Sequence, residues 1–279
     1  MSGKNPYTLA LAGQLAEIPF QIVHHLRASQ PLAQPEKHRF GPAWRQYLLW
    51  WMPPDDIPQK DSVVMLWHGG GWRVGWPGLH PTVAEFFLRE GFPVVMPAYR
   101  LAPFAWHKQM REDLDLALDL TLKLLKKKNL DNKRLLVGGM SAGGTLAAHL
   151  VFDRAALEQS GLTQDIFSGF ISFAGPLDLN VMPDFRAVRM YAGGKPGSAA
   201  WATANPILHL APDETIPSLL IHGTTDAIVP FACSESFYER YAGPKMLYPL
   251  PGKTHLDSMR FATDDVVTAE LIKEWLKGK

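Results

Sequence analysis

Short apolar runs alternate with stretches of helical period along most of this chain. Gln46–Trp51, Ser62–His68, Phe92–Ala98, Arg134–Gly138, Gly169–Ala174, Ser218–Ile221 and Lys245–Leu250 read as strands. Between them the apolar positions recur at helical spacing. Thr82–Glu90 is one such segment, with Gly91 placed to cap its end. His107–Lys128 is another, with Leu114, Ala117, Leu118, Thr121 and Leu125 on one face. Ala142 to about Gln159 turns Leu146, Ala147, Leu150 and Val151 inward. Phe231–Tyr241 follows. A last helix is expected to start near Thr263 and to bury Val267, Leu271, Ile272 and Trp275. Strands alternating with helices predict an α/β fold, a mostly parallel sheet covered by helices on both faces.

Two stretches stand outside that rhythm. Residues 176–217 lack clear periodicity, and a connection that long in a compact domain is usually functional. It is expected to be a substrate-covering insertion. Thr8–Leu26 is apolar but broken by Glu17, Pro19, Gln21, His24 and His25, which argues against a membrane-spanning helix of about 20 apolar residues. Ala10-Leu11-Ala12 resembles a cleavage site, but too few residues precede it to form an apolar signal core. The expectation is an amphipathic helix packed on the body, with a lid as the sharper alternative. Residues 1–45 are therefore read as a cap or lid segment and 46–279 as the main domain.

Composition changes this picture little. Of 279 residues, 47% are hydrophobic, enough for a full core. Lys plus Arg is 28 and Asp plus Glu is 27, for a net charge of +1. No global field favours nucleic acid or an anionic membrane, and neither is expected as a partner. The Lys126-Lys127-Lys128 run falls in a last helical turn, where it complements the helix dipole. Cys233 is the single cysteine, so no internal disulfide forms, which suits a reducing, cytoplasmic setting. An edge strand or the terminal helix could support a homodimer.

The chemistry lies at strand ends. Gly139-Met140-Ser141-Ala142-Gly143 fits G-x-S-x-G, a serine on a sharp strand-to-helix turn. His68-Gly69-Gly70-Gly71-Trp72 ends another strand, where glycines let backbone N–H groups turn into a cleft. A serine hydroxyl needs a base, and the base needs an orienting carboxylate. Asp226 follows a later strand and His255 the next, giving the order Ser, Asp, His. Asp257 is the rival acid. His80, His107, His209 and His222 have no such ordering and are read as structural or surface residues, and His68 as a brace of the glycine loop. Ala142 N–H, just after the serine, would join the loop in holding an oxyanion. Trp72, Trp76, Trp106 and Trp201 are expected near the pocket, with Trp72 at the substrate.

These motifs carry a resemblance. His68–Gly71, Tyr99-Arg100-Leu101-Ala102-Pro103 and Ser141-Ala142-Gly143-Gly144 resemble the HGGG-bearing esterases of the α/β-hydrolase superfamily, similar to hormone-sensitive lipase, over roughly residues 60–278. The resemblance implies Ser141 as nucleophile, Asp226 as acid and His255 as base. It implies oxyanion donors at Gly70, Gly71 and Ala142, with Gly69 as a substitute. Met140 departs from the acidic residue usual in that family. His222-Gly223-Thr224-Thr225-Asp226 also looks like feruloyl-esterase-like and kynurenine-formamidase-like relatives, and Pro251–Asp257 like isoprenylcysteine methylesterase-like proteins.

The leading expectation is a carboxylic ester hydrolase for short to medium acyl esters, a small-molecule substrate. No metal or organic cofactor is expected, because no H-E-x-x-H, cysteine cluster or phosphate loop is present. An arylformamidase or small-amide hydrolase would use the same residues. A non-catalytic hydrolase-fold binding protein is the alternative from another class.

Overall fold

The computed structural model describes residues 6–29 and 32–279. Eight strands form one sheet: β1 (Glu36–Arg39), β2 (Tyr47–Trp51), β3 (Ser62–Trp67), β4 (Val94–Pro97), β5 (Arg134–Met140), β6 (Phe167–Phe173), β7 (Ser218–Gly223) and β8 (Lys245–Leu250). Their order is β1-β2-β4-β3-β5-β6-β7-β8. The pairs β1–β2 and β2–β4 are antiparallel and all others parallel. The helices are α1 (Pro6–Ala28), α2 (Pro81–Arg89), α3 (His107–Lys127), α4 (Ala142–Phe152), α5 (Arg154–Gln159), α6 (Arg186–Ala192), α7 (Ala199–Ala204), α8 (Ala232–Arg240) and α9 (Val266–Trp275).

The pleat divides the core. Val63, Met65 and Trp67 of β3 face α3, α4 and α8, while Val64 and Leu66 face α2 and α9. Because both faces are covered, all six β3 residues are buried and the strand reads as a continuous apolar run. α4 is buried along its whole length, and all four positions expected inward are inside. So are the five on α3.

Several expectations need correction. The sheet begins before residue 46, because Glu36–Arg39 pairs with β2 as a polar edge strand. Such a strand buries nothing and shows no apolar alternation. Lys128 there meets Glu36 at 2.6 Å, so that lysine serves the edge as well as the helix end. The helix expected to run to Gln159 breaks at Asp153, whose side chain caps α5. Asp265, not Thr263, caps α9, because a 3₁₀ segment at Leu256–Ala262 comes first. Val267 is consequently 71% exposed. The aperiodic stretch between β6 and β7 holds α6, α7 and a 3₁₀ turn at Pro206–His209.

α1 is tied down by polar groups rather than by a buried apolar face. Gln14 and His25 are buried on it, while Leu9, Phe20 and Val23 are exposed. His25 Nδ1 lies 2.7 Å from the Thr82 hydroxyl. Among the described residues, no helix is long and apolar enough to cross a membrane.

Burial also holds histidines neutral. It pushes His25 and His107 down to about 4, and His68 and His80 down to about 3. Below about 6.5 the unfolded chain binds protons at these sites that the folded chain refuses, so folding stability falls as pH falls from there toward about 4. Urea unfolding at pH 7 and pH 5 is expected to show a loss of at least about 2 kcal/mol at the lower pH. Equal stability at both would mean these rings accept protons while folded.

Candidate active site

The site assembles at the C-terminal ends of β3, β5, β7 and β8, where open parallel sheets bind ligands. Ser141 sits between β5 and α4 with φ 52° and ψ −123°, a conformation that costs a non-glycine residue roughly 1–3 kcal/mol. The surroundings impose it. A Cβ on Gly139 would strike the Gly143 carbonyl, and one on Gly143 would strike the Trp67 carbonyl. Strand and helix backbones thus meet directly, and the serine projects from the turn.

The glycine loop lies alongside. A Cβ on Gly69 would approach the Met140 carbonyl at 3.0 Å and Ser141 Cβ at 3.3 Å. Gly70 has φ 121° and Gly71 φ 57°, both left-handed. The amides of Gly70, Gly71 and Ala142 donate to no backbone carbonyl among the described residues. His68 is fully buried, stacks on Tyr99 at 4.3 Å and donates Nδ1–H to the Gly69 carbonyl at 2.8 Å. The Tyr99 hydroxyl donates to the His68 carbonyl at 3.0 Å. Arg45 donates from Nε to the Tyr99 carbonyl at 2.7 Å and from Nη2 to the Gly75 carbonyl at 2.5 Å. The expected brace is therefore a three-residue assembly of His68, Tyr99 and Arg45.

Asp226 and His255 meet across β7 and β8. His255 Nδ1–H donates to Asp226 Oδ2 at 2.6 Å. The loops carrying them are joined: Thr225 donates its amide and its hydroxyl to the Lys253 carbonyl at 3.0 and 2.9 Å. Oδ1 of Asp226 accepts the amides of Ile228 and Val229, each at 2.8 Å. Oδ2 also faces His222 Nε2 at 3.1 Å. Burial would raise this carboxyl's pKa, but the two histidines outweigh it and hold the group well below the usual carboxylate range.

One cavity of about 1160 Å³ gathers these groups, slightly above the usual range of small-molecule sites. Gly69, Gly70, Gly71, Ser141 and His255 line it, and its walls are mainly apolar. Leu11, Leu15, Ile18 and Ile22 of α1 form one side, and Phe185 and Ala187 from the 176–217 stretch reach another. Asp226 stands behind His255, and Ala142 is buried at the start of α4.

Trp72 is elsewhere. It is 2% exposed, does not line the cavity and stacks on Tyr191 at 4.3 Å, so it packs the core beneath the loop. Trp201 is buried with its indole N–H donating to Asn180 Oδ1 at 3.1 Å. Trp76 and Trp106 are half-exposed outside the lining. Asp257 accepts from Thr254 and Arg260 and turns away from His255. Burial pushes the Cys233 thiol up, which suits a packing residue rather than a nucleophile. His222, read as structural or surface, is buried and touches the Asp226 carboxylate; its position four residues before Asp226 was the available signal. Among the described residues His149, Asp153 and His209 could hold a metal ion, with ligand atoms within 4.8 Å of one another. They lie toward the far end of α4 from Ser141, outside the cavity lining.

Fold and sheet order define the class: a chain of the α/β-hydrolase fold. The chain belongs to the BD-FAE family, whose model matches residues 51–241. It is similar to a probable isoprenylcysteine alpha-carbonyl methylesterase of Oryza sativa subsp. japonica, 27% identical over 242 residues, which are 78% of this chain and 57% of that protein. It is also similar to the probable carboxylesterase M8 of a Phoma species, 25% identical over 80% of this chain and 85% of that one. The chain thus spans little more than half the rice protein. Among solved structures, butyrate-bound esterase 2 of Thermogutta terrifontis superposes with a TM-score of 0.70 at 23% identity, over 88% of this chain and 94% of that one. A truncated carbohydrate esterase from gut microbiota gives 0.72 at 16% identity, over 87% and 97%. These likenesses establish the fold.

Replacing Arg45 with Met strands two buried carbonyls. Arg45→Met is expected to lower unfolding free energy by roughly 2–3 kcal/mol in urea titration. An unchanged midpoint would show that the guanidinium does not hold the glycine loop.

Proposed function

We propose that this chain is a serine carboxylesterase acting on apolar esters of short to medium acyl chain. The observation that carries the reading is the Asp226–His255 pair at 2.6 Å, opening on the same cavity as Ser141 at φ 52°. In this reading the ester carbonyl sits against Ser141. His255 takes the hydroxyl proton through Nε2 as Oγ attacks, and the Asp226 carboxylate compensates the imidazolium. The amides of Gly70, Gly71 and Ala142 receive the oxyanion, with the Gly69 amide as substitute. Each such donor is worth roughly 3 kcal/mol in the transition state. His255 then protonates the departing alcohol. A water molecule, activated by the same histidine, releases the acid from the acyl-enzyme.

The substrate reading rests on the cavity and the relatives. Mainly apolar walls favour an ester without many polar groups, and about 1160 Å³ leaves room for the alcohol portion beside a short acyl chain. Neighbouring structures are described as butyrate- and propionate-bound, and one relative as an ethyl acetate hydrolase. A cytoplasmic location fits a single buried thiol and no disulfide.

The test is hydrolysis of p-nitrophenyl esters from acetate to laurate, with N-formylkynurenine alongside, by wild type and Ser141→Ala. Short to medium esters are expected to turn over, and the variant to lose roughly 10⁴-fold or more in kcat. Full activity in the variant would remove Ser141 from the mechanism. Turnover of the formamide alone would replace ester with amide hydrolysis, and a maximum at laurate would overturn the chain-length reading.

A further inference from the structure

α1 does more than wall the cavity. Of its described side chains between Tyr7 and Val23, Gln14 is the one that is buried, at 8% exposure. Both ends of its amide are engaged. Gln14 Nε2 donates to the Thr225 carbonyl at 2.8 Å, and Gln14 Oε1 accepts the Ala227 amide at 3.0 Å. One side chain therefore grips the two residues flanking Asp226, as a neighbouring strand would. The Tyr7 hydroxyl adds a third bond to the same loop, donating to the Ala227 carbonyl at 3.0 Å. All three contacts span more than 200 residues of sequence.

The acid loop needs such support. Asp226 orients His255 through one oxygen and is itself held through the other by amides of its own loop, Ile228 and Val229. Those two amides fix the carboxylate relative to the loop, not the loop relative to the sheet. The loop's outside anchors include Thr224 on Leu250 and Gly252, Thr225 on the Lys253 carbonyl, the Asp226 amide on the Gly223 carbonyl, His222 on the Val229 carbonyl, and α1. Within the stretch from the Thr225 carbonyl to Ala227, the Asp226 amide reaches back to the Gly223 carbonyl at 3.3 Å and its carboxylate faces His222, while the Thr225 carbonyl and both backbone groups of Ala227 are held by α1. An error of about 1 Å in a catalytic group costs on the order of 10²-fold, so this anchor bears on rate.

We propose that Gln14 is a positioning residue: by pairing with the Thr225 carbonyl and the Ala227 amide it fixes Asp226 for His255, so that the helix walling the substrate cavity also sets the catalytic acid. This rests on the reading of Asp226 as the acid. One helix then carries two separable roles. Leu11 and Leu15 contact the substrate space, and Gln14 acts on the chemical step through Asp226.

Gln14→Met keeps helix propensity and bulk and removes both hydrogen bonds. On p-nitrophenyl butyrate it is expected to lower kcat about tenfold with KM within twofold. Leu11→Ala is expected to do the reverse, raising KM with kcat nearly kept. Phe20→Ser, 78% exposed and outside the cavity lining, is the control expected to match wild type. The deciding measurement is a double-mutant cycle. In the Asp226→Asn background Gln14→Met should cost nothing further in kcat. An equal tenfold cost in both backgrounds would overturn the proposal, since the glutamine would then not act through the acid. So would wild-type kcat in Gln14→Met alone, or a joint rise in KM and fall in kcat that marks a loosened helix. Wild-type kcat in Asp226→Asn itself would instead overturn the assignment of the acid.

Discussion

Everything at this site depends on two backbones touching where side chains are absent. β5 reaches α4 with Gly139 against Gly143, and Gly143 against the end of β3. That contact fixes Ser141 at φ 52° and brings Gly69 beside it. Any Cβ at these glycines would push strand, helix and loop apart. The strain at the serine is offset by the burial of α4, which packs against the sheet along its full length.

Around that contact, charge is distributed sparingly. Asp226 stays ionised in a buried place because four donors converge on it: two loop amides and two imidazoles. Arg45 stays ionised by spending its guanidinium on carbonyls of the elements that carry the glycine loop. Burial pushes the His68 pKa down to about 3, so near neutral pH its ring is uncharged and can accept from Arg45 at 3.4 Å while donating to Gly69. Preorganised dipoles of this kind are what a developing oxyanion requires. The cavity walls are mainly apolar, and a low local dielectric strengthens such dipoles.

The glycine loop, the serine turn and the succession of strands along the chain were legible, because each is a local signal, and Asp226 and His255 were legible as a pair from their order after successive later strands. The central strands and long helices were legible for the same reason, since their faces are buried at regular periods. β1 was not, because Glu-Lys-His-Arg carries no apolar alternation and pairs only through its backbone. Trp72 was misplaced because a tryptophan after a glycine loop looks the same in sequence whether it faces a ligand or Tyr191. α1 showed its helical length but not its function. Its apolar residues on several sides name no partner, and Gln14 is an ordinary residue until Thr225 and Ala227 close around it.

By itself, the sequence determined the order of elements, the strained serine turn, the glycine-rich loop and the identities of the ionisable groups, because short-range sterics and burial periodicity govern these. Tertiary structure decided which distant groups act on one another: Arg45 on Gly75, and α1 on the loop of Asp226 and the cavity wall. Those contacts join residues up to 220 positions apart. No local rule of spacing reaches that far; only the packing of helices at the ends of the sheet brings them within hydrogen-bond distance.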